Sequence, residues 1–204
     1  MEKRITHVQN NSPAARCGLR PGWIAKALNG REEFDILDYM NAEADGSFSL
    51  TVVREDGAKE TILLKNPEYE PVGISFETLT IDKPRFCRNN CVFCFMNQLP
   101  GGMRDTLFFK DDDYRLSFTC GNYVTLTNAS EKDIQRIIDY KLDPMNISVH
   151  TTNPKLREKM LRNPKAGQIL SQLKKLREGG VSYNVQLVLC PGYNDREELR
   201  RTLE

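Results

Sequence analysis

The sequence lacks the features that would tie the protein to nucleic acid, to a membrane or to secretion. Its 204 residues include 29 Lys and Arg against 28 Asp and Glu, so there is no excess of positive charge to attract a polyanion. No apolar run approaches the roughly 18 residues that a membrane-spanning helix needs. Residues 1–6 contain no apolar signal-peptide segment. We therefore expect a cytoplasmic protein with no nucleic-acid partner and no membrane partner.

The remaining composition is that of a globular protein. Hydrophobic residues make up 39% and charged residues 28% of the chain, a balance that supports one or two domains with a buried core. The sequence contains no internal repeat and no low-complexity tract. Because thiols stay reduced in the cytoplasm, clustered cysteines there indicate metal binding more often than disulfides.

The first part of the chain, residues 1–77, predicts a small and mostly β domain. A short helix is expected after Ser12, which would cap it, and a second helix over residues 35–44 with Ile36, Leu37 and Met40 on one face. Strands are expected at residues 5–8, 23–28, 48–54, 59–65 and 71–76. The two prolines within residues 66–71 indicate a linker, and we set the domain boundary near residue 77.

The second part, residues 78–204, alternates predicted strands with predicted helices, which is typical of a parallel sheet, open or closed into a barrel. The expected strands cover residues 79–85, 115–119, 123–126, 146–149 and 184–190. The expected helices cover residues 130–142, 166–178 and 195–203, the last with Asn194 and Asp195 at its N-cap. The sequence therefore predicts an α/β protein of two domains.

Three of the six cysteines lie in one short run, Phe-Cys-Arg-Asn-Asn-Cys-Val-Phe-Cys-Phe. Cys87, Cys91 and Cys94 are spaced C-x3-C-x2-C, so their thiolates can converge on one metal centre. Structural zinc prefers four protein ligands, usually as two separated pairs. Three cysteines without an obvious fourth fit a [4Fe–4S] cluster with one open iron better. A disulfide, or zinc with a fourth ligand, stays open; the other cysteines are Cys17, Cys120 and Cys190.

The cysteine motif, with Phe93 just before its last cysteine, resembles that of radical S-adenosylmethionine (radical SAM) enzymes. The segments CRNNCVFCFMNQLPGGMRDTLFFKDDDYRLSF, GNYVTLTN, ISVH and LCPGYND are similar to one branch of that superfamily, iron–sulfur oxidoreductases with an N-terminal PDZ domain. The resemblance implies a [4Fe–4S] cluster that binds S-adenosylmethionine and cleaves it reductively to methionine and a 5′-deoxyadenosyl radical. It also implies an electron donor such as a ferredoxin or flavodoxin, and it leaves the substrate unknown.

The same resemblance implies a six-stranded partial barrel, whereas only four or five strands are predicted in residues 78–204. The resembled family also continues into a further C-terminal domain. We therefore expect an incomplete parallel (βα) barrel, either because the chain is truncated or because a partner completes it.

Further cofactor contacts are implied at the carboxyl ends of the strands, where α/β barrels gather their sites. Residues 119–122, Thr-Cys-Gly-Asn, stand where the superfamily commonly has Gly-Gly-Glu. Gly121 and Asn122 are therefore expected near the methionine amino group of the cofactor, although Asn122 offers a carbonyl in place of a charged acid. The alternative is a glycine-containing turn after a strand, with Cys120 as a small buried residue.

Three more polar residues are candidates for the cofactor site. Ser148 matches a superfamily position that contacts the ribose, and Gln186 matches a polar residue on the following strand. His150 lies two residues beyond Ser148, on the same side of the strand. The alternative for His150 is a hydrogen-bonded core histidine. The acidic residues 111–113 predict either a solvated turn or a loop that faces a ligand.

The segments SPAARCGLRPG and LNG resemble a PDZ domain, although Trp23 stands where that family usually has an acid. PDZ domains bind peptide C-termini by adding a strand to a sheet edge. Their binding strand normally comes first, and residues 71–76 have its character, so we expect a circularly permuted arrangement. Peptide binding and a purely structural role both stay open. The alternative function for the whole chain is a non-catalytic PDZ adaptor with a structural zinc or iron–sulfur site.

Overall fold

The computed structural model describes residues 2–204, and the chain divides into two compact units, Met1–Pro84 and Arg85–Glu204. Each unit is described by itself below. Across the described residues, no helix is both long enough and apolar enough to span a bilayer.

The first unit is built on a five-stranded antiparallel sheet of order β4-β3-β2-β1-β5. Its strands are β1 (Lys3–Val8), β2 (Ile24–Leu28), β3 (Ser47–Val53), β4 (Lys59–Lys65) and β5 (Ile74–Phe76). Its helices are α1 (Pro13–Arg16) and α2 (Ile36–Ala44). These elements confirm the strands and helices predicted for this part of the chain, with β5 shorter than expected.

Local sequence signals explain the turns and helix starts of this unit. Ser12 Oγ accepts a hydrogen bond from Ala15 N at 3.2 Å, as the predicted N-cap of α1. Asp35 and Asp38 form a capping box at the start of α2. Asn29 and Gly30 both have positive φ, 48° and 78°, which lets the chain reverse directly after β2.

Strand β5 pairs with β1 at the edge of the sheet, with Ile5 opposite Phe76 and Val8 opposite Ile74. A strand from the end of the unit thus lies beside its first strand, as the permuted arrangement requires. The assignment of the unit as a PDZ domain stays a prediction.

The core of the first unit is apolar. Leu50, Val52 and Leu64 are fully buried on β3 and β4. The predicted inner face of α2 is wrong in one residue: Met40 is 38% exposed, and the buried aromatic is Tyr39. The Tyr39 ring packs edge-on against two phenylalanines, at 5.8 and 5.5 Å between ring centroids.

The second unit is mainly helical around one small parallel sheet. Its helices are α3 (Tyr114–Cys120), α4 (Glu131–Asp139), α5 (Pro154–Leu161), α6 (Ile169–Glu178) and α7 (Arg196–Leu203). Its strands are β6 (Met145–Ser148) and β7 (Tyr183–Gln186), which pair in parallel, and Val124 adds a one-residue parallel bridge to Ile147. Short 3-10 helices cover Phe95–Gln98, Asp105–Phe108 and Pro164–Gln168.

Two strands predicted here are wrong. Residues 79–85 form no strand, and Ile81 within them has a left-handed φ of 69°. Residues 115–119 lie in helix α3, because Asp113 caps that helix by accepting a hydrogen bond from Arg115 N. The predicted strand at residues 123–126 is reduced to the Val124 bridge. Within the described chain the parallel sheet therefore has two strands, where four or five were expected.

Helices α4 and α6 form as predicted, with small differences at their ends, and they pack against each other. Ser130 and Asp133 form the predicted capping box of α4. Helix α6 ends at Gly179, where a Cβ atom would lie 2.6 Å from the Ile138 side chain, so glycine allows this close approach. The inner face of α6 includes the buried Ile169, Leu173 and Leu176, while Leu170 is 49% exposed. Helix α5 was not predicted; Asn153 caps it and Pro154 is its first residue.

Candidate functional site

The cysteine loop, residues 87–94, is held in place by backbone hydrogen bonds on both sides. Cys87 N donates to Lys110 O at 2.8 Å, which joins the start of the loop to the acidic segment. Val92 N donates to Met160 O at 2.9 Å, and Asn90 N donates to a carbonyl at the end of α5. The positions of the three cysteines are therefore fixed by contacts far away in the sequence.

Asn89 in the middle of this loop is 5% exposed and anchors it to a buried polar network. Its side-chain Nδ2 donates to Thr125 Oγ1 at 2.8 Å, and its Oδ1 accepts from Thr127 Oγ1 at 2.9 Å. Both threonine hydroxyls also donate to the Asp112 carboxylate. Burial raises the pKa of Asp112, while the hydrogen bonds from the threonines oppose this shift. These hydrogen bonds fix the position of the cysteine loop.

Cys87, Cys91 and Cys94 are all half-buried free thiols that line one cavity. The pKa of Cys91 is raised to about 11, first by burial and then by the neighbouring Cys87 and Cys94. Burial also raises the pKa of Cys87. All three thiols therefore face the same cavity.

Binding of a [4Fe–4S] cluster by these three cysteines stays a prediction, and the chemistry of the donor set can be compared with it. Within residues 2–204, no three His, Cys, Asp or Glu side chains are placed so that they could hold one metal ion. Tetrahedral zinc with Zn–S bonds of about 2.3 Å brings its sulfur ligands within about 4 Å of each other. In a [4Fe–4S] cluster each cysteine binds a different iron, so the sulfurs stand further apart. A donor set of three cysteines, with no histidine or carboxylate, suits that cluster.

The other three cysteines lie in different surroundings. Cys120 is exposed, so its prediction as a small buried residue is wrong, because it occupies the last turn of α3. Cys190 is half-buried and packs, like Cys91, against a small apolar cluster around Met160. Cys17 belongs to the first unit, where its thiol approaches Leu63 O at 3.7 Å. All six cysteines are free, so the disulfide alternative is not supported.

The cavity beside the cysteine loop has a volume of about 610 Å³, within the usual range for small-molecule sites. Five of the six residues predicted to contact a cofactor line it: Phe93, Asn122, Ser148, His150 and Gln186. Gly121, the sixth, is not among the lining residues. It ends helix α3 with a left-handed φ of 77°, where a turn after a strand had been expected.

Ser148 and Gln186 lie side by side on the two parallel strands, as register partners of β6 and β7. Ser148 Oγ donates to Gln186 Oε1 at 2.9 Å. This bond leaves the Gln186 amide NH2 as a donor and the Ser148 oxygen as an acceptor at the cavity wall.

His150 is a buried, neutral and firmly positioned residue of this wall. It is 3% exposed, with a left-handed φ of 64°, and its Nδ1 accepts a hydrogen bond from Val188 N at 3.2 Å. Burial, assisted by the positive charge of Arg157, lowers the pKa of His150 to about 3. The neutral ring therefore carries its proton on Nε2. Its centroid lies 4.5 Å from that of Phe93, on the cysteine loop.

Two buried residues that were not assigned to the site hold its wall. Arg157 is fully buried and donates to four backbone carbonyls at 2.7–2.9 Å. Asn194 is 1% exposed and donates to the carbonyls of His150 and Val188. Asn194 thus clamps the wall, while Asp195 takes the N-cap position of α7. Two of these hydrogen bonds, from Arg157 to Thr125 O and from Asn194 to His150 O, join segments that are far apart in sequence.

The acidic residues 111–113 have separate roles, and the prediction of a solvated turn is wrong for two of them. Asp112 and Asp113 are 4% and 0% exposed. Asp113 pairs with the buried Arg115, at 2.7 Å between Oδ2 and Nη2. Asp111 is different, because it lines the cavity together with its neighbour Lys110. The alternative of a loop that faces a ligand therefore stays open for Asp111, whereas Lys110 was not among the predicted site residues.

Comparison with known protein families gives one match. A family model described as a radical SAM-like domain matches residues 66–204, which include the cysteine loop and every residue that lines the cavity. No curated protein matches the chain at a significant level.

Proposed function

The chain belongs to the radical SAM-like domain family, and from this we propose that it is an iron–sulfur enzyme of the radical SAM superfamily. Cys87, Cys91 and Cys94 would hold a [4Fe–4S] cluster, and S-adenosylmethionine would occupy the cavity beside it. The observation that supports this most is that the three thiols share one cavity of about 610 Å³ with five residues that the resemblance implies in cofactor binding.

When bound, the reduced cluster supplies the electron that cleaves the sulfonium to methionine and a 5′-deoxyadenosyl radical. The chain's own residues position the cofactor and exclude water. The Phe93 and His150 rings form one apolar and rigid side of the cavity. On strands β6 and β7, the Gln186 amide and the Ser148 hydroxyl offer a donor and an acceptor for ribose hydroxyls.

The neutral His150 is suited to positioning rather than to proton transfer at neutral pH. Its pKa of about 3 leaves the imidazole uncharged, and Val188 N already occupies its only acceptor nitrogen. Its Nε2–H remains a fixed donor. We therefore assign His150 to binding and orientation, and we assign no proton-transfer residue.

The finer features of the proposal follow from the resemblance. We propose that the reaction is that of an oxidoreductase, with a ferredoxin or flavodoxin as electron donor, and that the protein works in the cytoplasm, where its free thiols stay reduced.

For the first unit we propose a permuted PDZ-like module that adds a peptide C-terminus as a further strand. The position of β5 at the edge of the sheet is the observation behind this proposal.

The test is anaerobic reconstitution followed by electron paramagnetic resonance of the reduced protein, with and without S-adenosylmethionine. We expect a reduced-cluster signal that changes when S-adenosylmethionine binds. Stoichiometric zinc in place of iron, or a signal that S-adenosylmethionine leaves unchanged, would contradict the enzyme and favour an adaptor with a structural metal site.

A further inference from the structure

The end of helix α5 packs directly against the cysteine loop. Asn90 N donates to Leu161 O at 3.0 Å, and Asn163 Nδ2 donates to Asn89 Oδ1 at 2.7 Å. Apolar side chains of the loop also pack against the end of this helix. Residues 159–165 therefore adjoin the loop that would carry the cluster, yet none of them lines the cavity.

Positive charge accumulates where these two segments meet. Four exposed cations lie there, and we call them the basic patch: Arg88, Lys159, Arg162 and Lys165. Within residues 2–204, none of the four forms an ion pair. Residues 155–165 contain five Lys and Arg against one acidic residue, Glu158, which pairs with Lys155 at 3.6 Å. Because the whole chain has a net charge of +1, the patch is a local excess of positive charge.

The basic patch lies close to the proposed cluster ligands along the chain. Arg88 directly follows Cys87, and Arg162 lies between the two residues that bond to the loop. Lys159 and Arg162 stand at the C-terminal end of α5, where cations interact favourably with the helix dipole. Arg88 and Lys165 lie outside this helix. The helix dipole therefore explains two of the four cations and leaves the patch as a whole unexplained.

An exposed patch of one charge next to a redox centre has the properties of a docking surface for an electron-transfer protein. Such encounters bury little surface and are weak, so attraction between opposite charges does much to bring the partners together. The partner must then present negative charge. Since no residue of the basic patch lines the cavity, a protein bound there leaves the S-adenosylmethionine site open.

We propose that the basic patch binds a one-electron carrier protein with an acidic surface, of the ferredoxin or flavodoxin class. This inference rests on the proposed function and gives its electron donor a place on the chain. One electron leaves the reduced carrier, which is oxidised, and passes to the oxidised cluster, which is reduced; no covalent bond forms or breaks. Nucleic acid fits this surface less well, because four cations on a chain of net charge +1 make a small footprint for a polyanion.

The test measures how fast purified flavodoxin, reduced to its hydroquinone, reduces the anaerobically reconstituted protein in a stopped-flow instrument. The variant Lys159→Glu/Arg162→Asn/Lys165→Glu reverses the charge of the patch, with asparagine at 162 because φ is 50° there. At low salt its rate should be at least about 10-fold below that of the native protein. The native rate should fall as salt is added, whereas the rate of the variant should change little.

A matched control variant, Lys132→Glu/Lys141→Asn/Arg177→Glu, makes the same change of charge away from the patch. Lys141 has a φ of 48°, close to that of Arg162, and Arg177 lies in the last turn of α6 as Lys159 does in α5. Flavodoxin should reduce this variant at the native rate. Photoreduced 5-deazariboflavin, a small reductant that needs no docking surface, should reduce all three proteins equally fast.

The outcomes separate this inference from the proposed function. If flavodoxin reduced the patch variant as fast as the native protein, the docking surface would be wrong while the proposed function stands. The same conclusion would follow if 5-deazariboflavin reduced the native protein and flavodoxin did not. Equal slowing of the patch variant with both reductants would mean that the substitutions disturb the cluster, and would also overturn the inference.

Fluorescence anisotropy with a labelled transfer RNA mixture tests the nucleic-acid alternative. We expect no difference in RNA binding between the patch variant and the control variant. Loss of RNA binding in the patch variant alone, with unchanged reduction by flavodoxin, would make the patch a nucleic-acid surface and overturn the inference. A native protein that loads no cluster would overturn the proposed function itself, and this inference with it.

Discussion

The two units of this chain bury different kinds of side chain. In the first unit the buried residues are mainly aliphatic and aromatic, from Ile5 to Ile81, and they form one apolar cluster against the five-stranded sheet. In the second unit many buried side chains are polar or charged, and two of them, Ser148 and His150, line the cavity. The buried polar and charged side chains of this unit are Asn89, Asp112, Asp113, Arg115, Ser117, Thr127, Ser148, His150, Thr151, Arg157, Gln172 and Asn194.

The first unit is stabilised mainly by apolar packing, whereas the second unit also buries hydrogen-bonded polar groups whose positions are fixed. Apolar burial is favourable but non-directional, whereas a hydrogen bond fixes both a distance and an angle. Buried polar networks hold side chains in one arrangement only when every member is satisfied. Arg157 and Asn194 meet this condition with donors to backbone carbonyls. The second unit is therefore the part built to hold a ligand site in place.

The largest difference between the two units is expected in the iron content of the protein after a cysteine of each unit is replaced. Cys91→Ala removes one of three thiolates that hold the proposed cluster, whereas Cys17→Ala removes a thiol of the first unit with a weak contact to Leu63 O. After identical anaerobic reconstitution, Cys91→Ala should contain almost no iron and lack the absorbance of an iron–sulfur cluster. Cys17→Ala should match the native protein.

Both variants replace a half-buried cysteine by alanine, so the comparison controls for general loss of a thiol. Equal iron content in the two proteins would show that the cysteine loop does not carry the cluster. Far-ultraviolet circular dichroism of both apoproteins checks that each one is folded.

The next largest effects are losses of stability caused by a substitution in the buried part of each unit. Arg157→Met removes the side-chain donor that four backbone carbonyls share and should destabilise the second unit by about 3–5 kcal/mol. Leu50→Ala creates a cavity in the first unit and should cost about 2–5 kcal/mol there. Hydrogen exchange read by mass spectrometry assigns each loss to its own peptides.

We expect Arg157→Met to speed exchange in peptides of β6 and α5, and Leu50→Ala to speed it in peptides of β3 and β4. Arg157→Lys serves as a matched control for charge, because it keeps the cation but cannot reach four carbonyls with one ammonium group. If Arg157→Met exchanged like the native protein in the second unit, the polar network would not be what stabilises it.

The first unit could be predicted well from sequence because its signals are local. Ser12 before Pro13, the Asn29–Gly30 turn and the alternating strands each act over a few neighbouring residues. Strand β5 needed a long-range argument about chain order, and its pairing with β1 agrees with that argument. Only the inner face of α2 was misassigned, because Tyr39 is buried there and Met40 is exposed.

The second unit was harder because long-range contacts override local pattern. The run Arg-Leu-Ser-Phe-Thr alternates like a strand, yet Asp113 both caps a helix there and pairs with Arg115 inside it. The cysteines and most cofactor residues were found by resemblance of short motifs. Arg157 and Asn194 were missed as residues of the cavity wall, because some of their partners lie far away in the chain and no spacing rule connects them.

The smallest effect concerns the charge state of His150 in the cavity wall. Burial lowers its pKa from 6.5 to about 3, so the unfolded chain takes up a proton between these values while the folded protein does not. The resulting stability is complete above pH 6.5 and is lost as the pH falls toward 3, by at most about 1.4 kcal/mol per pH unit. His150→Asn removes this titration and keeps a residue that tolerates the left-handed φ of 64°.

Urea unfolding at pH 7.5 and pH 5.5 isolates the histidine, because carboxylates titrate alike in both proteins. We expect the native protein to lose about 1.4 kcal/mol more stability than His150→Asn over this step. The sign follows from the imidazole being neutral when folded, with Nδ1 accepting from Val188 N and Arg157 nearby. Equal losses in both proteins would mean that His150 is open to protons in the folded state, and the cavity wall would then be solvated, unlike the dry core of the first unit.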